Sequence, residues 1–371
     1  MSRISKRRKK SALLWGIVTL LALLIALGME GIILAIGSSQ PSQQAAKRWQ
    51  GEGTERFAQV SVFASEDAGF SEGTASAVKS GIQSALDAIS NTQNWFDCFS
   101  TETSLSLRGE QGSVTVTATA TGGDFFRMHS FRFLSGSGYE PEDFNPNRVV
   151  LDHNAAWQLF GSYDIVGQSV WLDEMELSVA GVVDGRAEGL FDGTETTAYG
   201  ETPRVYLSYN LVSDSENPLP VTCYEVVSPE PLDDFSFEAV KSAVSLNEKE
   251  IKIVENSARY SFLSLLKTIG GLWTRSMRIN RIVLPWWENV AVVAEDVAAL
   301  IEAGMLVFAF IGILLPIIAA IRFLMRHPVS FAPIRNLFDR LYDRHLVRQW
   351  NKTHSQKLDD AGDPVDSKSK Q

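Results

Sequence analysis

Two uncharged apolar runs constrain this chain more than any other feature. Ala12–Met29 (ALLWGIVTLLALLIALGM) has 18 residues and continues past Glu30 as Gly31–Gly37, and Ala303–Ile321 (AGMLVFAFIGILLPIIAAI) has 19. A helix rises about 1.5 Å per residue, so about 20 residues cross a ~30 Å hydrocarbon core. The first run exceeds the usual apolar stretch of a cleaved signal peptide, and no A-x-A site follows it. It is expected to be an uncleaved anchor, over residues 11–37. The second span is expected over 303–325, with Pro316 removing one backbone donor inside it.

Charge orients the two spans. Residues 1–10 carry six basic residues and no acid, and residues 322–371 carry ten basic and six acidic. Of the chain's 34 Lys+Arg and 44 Asp+Glu, this leaves 18 and 38 for the middle, a net of −20. Arg3, Lys6, Arg7, Arg8, Lys9 and Lys10 precede the first span; Arg322, Arg326, Arg335 and Arg340 follow the second. The positive-inside rule predicts both termini in the cytoplasm of a plasma (inner) membrane protein and the acidic body outside. An acidic body with basic ends also argues against nucleic acid as a partner.

Residues 38–284 read as a mixed α and β body. Phe57–Ala64 alternates as a strand does. Ala75, Val78, Ile82, Ala85, Leu86 and Ile89 recur at helical spacing after Ser71. Ser104–Leu107 and Val114–Ala120 predict a hairpin around Gly109–Gly112. Arg148–Leu151 predicts a strand, followed by a helix over 154–160 with Asn154 as cap and Gly161 as stop. Ser169–Leu172 and Leu177–Val183 predict a second hairpin. Strands at Arg204–Ser208, Cys223–Val227 and Glu250–Val254 flank a helix from Phe235. The order is β-α-β-β, an insert over about 122–200, then β-β-α-β: two split βαβ halves forming one subdomain, with the insert as a second.

The insert carries a family pattern. Phe125-Phe126 is followed by Leu134-Ser135-Gly136, Glu142-Asp143, Val149-Val150-Leu151, Ala155, Leu159-Phe160-Gly161, Val166-Gly167-Gln168 and Gly181-Val182-Val183-Asp184. In this order and spacing they resemble the periplasmic core domain of MacB-type, FtsX-like ABC-transporter permeases. The resemblance implies an α+β fold: an extracytoplasmic, porter-like split βαβ subdomain with an inserted β-rich, sabre-like subdomain, flanked by two transmembrane helices. It marks Phe125, Phe126, Gly136, Asp143, Leu159, Phe160, Gly161, Gly167 and Gly181 as family-motif structural positions. It further implies a separate ATP-binding subunit. The family's permeases carry four spans and this chain shows two, so a permease partner or self-association is expected.

Beyond the body, Pro285-Trp286-Trp287-Glu288 opens a helix of about 40 residues, roughly 60 Å long. Trp286, Trp287, Val290, Val293 and Val297, continued by Leu300 and Ile301, predict its contact stripe. Residues 285–302 form a stalk that packs on the domain or pairs with a partner. In the tail, Ile334, Leu337, Phe338 and Leu341 predict an amphipathic helix over 326–350, with Arg335, Arg340, Arg344 and Arg348 on other faces. Such a helix lies on anionic membrane lipids or docks a cytoplasmic ATPase. Residues 351–371 are polar and read as disordered.

Catalytic signatures are missing. No G-x-x-x-x-G-K-[ST], H-E-x-x-H, G-x-S-x-G or C-x-x-C occurs. His129 and His153 are far apart in sequence, and no catalytic, cofactor or metal site is expected. Glu142/Asp143 and Asp233/Asp234 read as loop and cap residues. Cys98 and Cys223 leave two readings open: buried free thiols, or a disulfide closing a loop of about 125 residues, worth on the order of 4–5 kcal/mol. Two functions stay open as well: a non-catalytic ABC-complex subunit, or a free-standing anchored binding or sensor module.

Overall fold

The structure is a computed structural model. It describes residues 2–347 apart from 142, 144, 185–201, 215, 217, 273–277, 280, 327–341, 343 and 345. The chain divides into two compact units, residues 22–309 and residues 1–21 with 310–371.

In chain order, α1 (Ser2–Ser38) and α2 (Ala45–Gln50) lead to β1 (Phe57–Ala64), α3 (Glu72–Ala88) and the long strands β2 (Phe96–Gly109) and β3 (Gly112–Gly123). The insert contributes α4 (Phe125–Met128), β4 (Phe133–Gly136), β5 (Arg148–Asp152), α5 (His153–Phe160), β6 (Ser169–Leu172) and β7 (Met175–Val183). The chain returns through β8 (Arg204–Ser208), β9 (Cys223–Pro229), α6 (Phe235–Ala243) and β10 (Ile251–Glu255). It ends in α7 (Phe262–Gly271), the small hairpin β11 (Arg278–Ile279) and β12 (Ile282–Val283), and α8 (Trp286–Arg326). α1 and α8 each contain a stretch long and apolar enough to cross a membrane.

The expected elements form where their periodicity placed them, with instructive shifts at the ends. Ser71 caps α3 by accepting the Thr74 N–H. α5 begins one residue early, and its cap is Asp152, which accepts the Ala155 N–H at 2.7 Å, not Asn154. At α6 Asp234 is the N-cap residue, but its side chain makes no capping bond. The carboxylate of Glu230 accepts the Phe235 and Ser236 N–H groups, both at 2.9 Å, while Asp233 pairs with Arg56. The hairpin is longer than read, with 14 residues in β2 and 12 in β3, chiefly because Phe96–Thr103 continues β2 inward.

One sheet of ten strands runs in the order β10-β1-β9-β2-β3-β8-β5-β7-β4, with β6 bridging β2 and β7. The insert strands thus extend the sheet of the outer halves, yet they carry a core of their own. Leu107, Val116, Val149, Leu151, Leu159, Val170, Leu177 and Val205 close around α5. A second core lies where α3 and α6 cover one face of β1 and β9, through Val60, Val62, Val78, Ile82, Tyr224 and Val240. The opposite face of β1, β2 and β9 is covered by α2, α4 and the start of α8. This third core positions the site.

Candidate functional site

The start of α8 docks on the sheet through two adjacent indoles. Trp286 and Trp287 are buried, and the Trp287 ring lies 5.8 Å from Phe125 and 4.6 Å from His129. Further along, Ala294, Ala298 and Ala299 pack with Ile33 and Ile36 of α1 and Leu265 of α7. The packed face takes in the predicted stripe and extends past it: Trp286 and Trp287 are in the core, and Val290, Val297 and Ile301 pack against the cores. Val290, Val293 and Val297 are half-buried and Leu300 is exposed, whereas Glu288, Ala291, Glu295, Ala298 and Glu302 are buried.

An arginine explains this phase. Arg259, 3% exposed, donates from Nη1 and Nη2 to both oxygens of Glu288 at 2.7 and 2.8 Å, and from Nε to Glu295 at 2.9 Å. Gln43 accepts a further Nη1 bond at 3.1 Å, and the Thr268 hydroxyl donates to Glu295 at 2.6 Å. Burial opposes the guanidinium's charge, and the Glu288 and Glu295 carboxylates more than offset it, so its pKa is raised. A fork of five donors suits two carboxylates at once. The helix is therefore held by charge as well as by area, and residues on four segments meet: the end of α1's linker, the β10–α7 connection, α7 and α8. The signal was present in the sequence: Glu288, Glu295 and Glu302 stand seven residues apart, on one face of a mostly apolar stretch that also holds Asn289 and Asp296.

Directly beneath Trp287 lies a second polar group. Register places Cys98 of β2 opposite Glu225 of β9, and Ser100 opposite Cys223. Cys98, Glu225 and Cys223 therefore point to one face. His129, immediately after α4, bonds Glu225 through Nε2 at 2.8 Å. Glu225 also accepts the Ser61 hydroxyl at 2.9 Å, and Asn256 donates to Ser61 at 2.6 Å. Ligand atoms of Cys98, His129 and Glu225 all lie within 4.8 Å of one another. Burial pushes the Cys98 thiol up to about 12, against a lowering hydrogen bond with His129, and it raises Cys223 well above the thiol range. Of the two readings left open for the cysteines, the structure has the free thiols, both buried and set diagonally across the β2–β9 ladder. His129, a scattered imidazole in the sequence, stands beside Cys98 and Glu225 in the fold. Residues 98, 129 and 225 come together only through strand register, which no local spacing reveals.

The family model for the MacB-like periplasmic core domain matches residues 17–240, more than half of the chain. The chain belongs to this family. Its relatives include the macrolide export ATP-binding/permease protein MacB of Chromobacterium violaceum, 27% identical over 193 residues. That match takes in 51% of this chain and spans 28% of the relative's length. Among solved structures, the periplasmic region of MacB from Actinobacillus actinomycetemcomitans gives a TM-score of 0.39 at 15% identity, covering 63% of this chain and 99% of that one. The extracellular domain of the noncanonic ABC-type transporter YknZ from Gram-positive bacteria gives 0.35 at 13%, covering 53% and 99%.

Within this MacB-like domain the motif positions hold the insert together. Phe125 and Phe126 sit in an aromatic cluster with Phe131, Tyr139 and Tyr206. Leu159 and Phe160 are buried in the insert core. Gly136, Gly161 and Gly167 have φ of +70°, +68° and +83°. A Cβ on Gly136 would meet the Ala180 carbonyl at 2.2 Å, and one on Gly181 would meet Ser137 backbone at 2.7 Å. Asp143 accepts the Glu140 N–H and pairs with Arg148 at 2.6 Å, which together hold its carboxyl below the usual range. In the tail, Arg344 is helical, while Ile334, Arg335, Leu337, Phe338, Arg340, Leu341 and Arg348 lie outside the described residues.

Proposed function

We propose that this chain is a non-catalytic membrane subunit of an ABC-type export or envelope complex. Its outer domain binds a partner or substrate, and α8 couples that domain to the membrane. The observation that carries the reading is a MacB-like core domain standing between two candidate membrane helices, with the second helix anchored to the domain by Arg259. A buried charge clamp transmits displacement better than an apolar contact, because sliding would strip Glu288 and Glu295 of their partner in a dry setting. ATP binding would belong to a separate subunit, and the membrane path to a permease partner or a second copy. Both termini would face the cytoplasm, with the tail on anionic lipid or on the ATPase.

Affinity purification of the tagged full chain from mild detergent tests this. Recovery of a permease or an ATP-binding protein is the expected outcome; a monomer with neither would refute it. The count of two candidate spans among the described residues favours one second reading, a free-standing anchored binding or sensor module. Removing residues 333–371 separates the two. Loss of the ATP-binding partner supports the transporter reading, and an unchanged set of partners supports the sensor.

A further inference from the structure

We propose that Cys98, His129 and Glu225 form a binding site for a thiophilic divalent cation of the zinc class, with Cys223 as the neighbouring source of a fourth ligand. The donors are a thiol, an imidazole and a carboxylate, the set that tetrahedral zinc takes. Zinc bonds of about 2.0–2.3 Å place tetrahedral ligand atoms roughly 3.5 Å apart. The three atoms here lie within 4.8 Å of one another, so side-chain adjustment of about 1 Å closes the site. All three side chains are at most 1% exposed, and they come from two adjacent strands and the residue after α4. Cys223, also buried, is on the same face, near enough for charge on Cys98 and Glu225 to act on it.

The surroundings resemble a supporting shell. Ser61 holds one Glu225 oxygen and Asn256 holds Ser61, which fixes the carboxylate's orientation. The Phe125 and Trp287 rings pack against the imidazole at 4.5 and 4.6 Å and keep the pocket dry. A divalent cation would neutralise the buried Glu225 and one thiolate together, releasing the thiol proton on binding. It would also tie α4 to β2 and β9 directly under the foot of α8.

The chain has two cysteines, both at this place, so a thiolate-to-metal signature reports on this site alone. The full chain in detergent, reduced and stripped by a chelator, is equilibrated with Co²⁺. The expected result is one Co²⁺ per chain, with a sulfur-to-cobalt charge-transfer band and the visible bands of tetrahedral Co²⁺, all displaced by Zn²⁺. Cys98→Ser should abolish or strongly reduce the charge-transfer band and Cys223→Ser should weaken it; an unchanged band in Cys223→Ser would overturn Cys223 as the fourth ligand. X-ray absorption on the zinc-loaded wild type gives a readout independent of the variants' folding, with at least one sulfur beside nitrogen or oxygen expected. Absence of stoichiometric binding by the wild type, oxygen-and-nitrogen-only ligation, or a charge-transfer band unchanged in Cys98→Ser would each overturn the assignment.

Discussion

Replacing Arg259 by methionine is the sharpest test of how α8 is held. The substitution keeps much of the side chain's volume and removes the charge and four hydrogen bonds, at 2.7, 2.8, 2.9 and 3.1 Å. Charge-assisted bonds are worth about 1.5–3 kcal/mol each, but summing them overstates the loss. The relevant quantity is the cost of leaving buried carboxylates without their cation, about 3–5 kcal/mol. Two contacts soften it: Lys252 Nζ stays 3.5 Å from Glu288, and Thr268 still donates to Glu295 at 2.6 Å. The low end, about 3 kcal/mol, is therefore expected. For a folded unit of this size, melting shifts by about 2–4 °C per kcal/mol, giving a drop of roughly 6–12 °C in detergent-solubilised protein. Adding Glu288→Gln to Arg259→Met should recover part of the loss, since the orphaned charge is then gone. A drop under about 3 °C, or no recovery in the double variant, would refute a charge clamp and leave apolar packing as the only tie.

Asp152 gives a pH signature: burial raises its carboxyl from an ordinary 3.8 to about 6, against backbone bonds from Ala155 and Arg204. The folded state then holds the proton more tightly than the unfolded state, so stability should fall as pH rises from about 4 to about 6 and level off above. Asp152→Asn should flatten this profile in denaturant titrations and be the more stable protein at pH 7, by at most about 3 kcal/mol; a fall that persists in the variant would assign it elsewhere. Trp287→Ala should cost about 3–5 kcal/mol, while Leu300→Ala, at an exposed position, should melt like the wild type. Gly136→Ala, at φ +70° with a carbonyl 2.2 Å from the new Cβ, should destabilise by at least about 1–3 kcal/mol in denaturant unfolding. Gly28→Ala, with nothing within 4 Å, is the control. Reporter fusions at each end of the full chain should place both in the cytoplasm, and a periplasmic signal from either end would overturn the orientation.

What could be read from the sequence followed local periodicity. α3 announces itself because only one of its faces is buried, and β1 because Val60 and Val62 alternate with Gln59 and Ser61, although both of its faces are buried. The inner half of β2 did not, since Phe96–Thr103 is buried on both faces in the centre of the sheet and loses the alternation that marks a half-exposed strand. The stalk's apolar residues marked only part of the packed face, for a related reason. In a helix rich in Val and Ala all round, hydrophobicity carries little phase information, and the acids at 288, 295 and 302 carry most of it. The polar groups under α8 depend on β2–β9 register and on Arg259 reaching across from the β10–α7 connection. Neither is encoded within any window shorter than the domain.

The length of the β2–β3 ladder has an evolutionary and engineering consequence. Cys98 pairs with Gly123 at one end and Gly109 with Gly112 at the other, and β2 alone touches both β9 and β6. The insert therefore cannot be excised or exchanged as a cassette between residues 122 and 200. Its core borrows Leu107, Val116 and Ala118 from strands that begin in the other half. A chimera that swaps this region for another family member's must carry the outer part of the hairpin with it, and its junctions belong in the middle of β2 and β3 with their pairing kept in step.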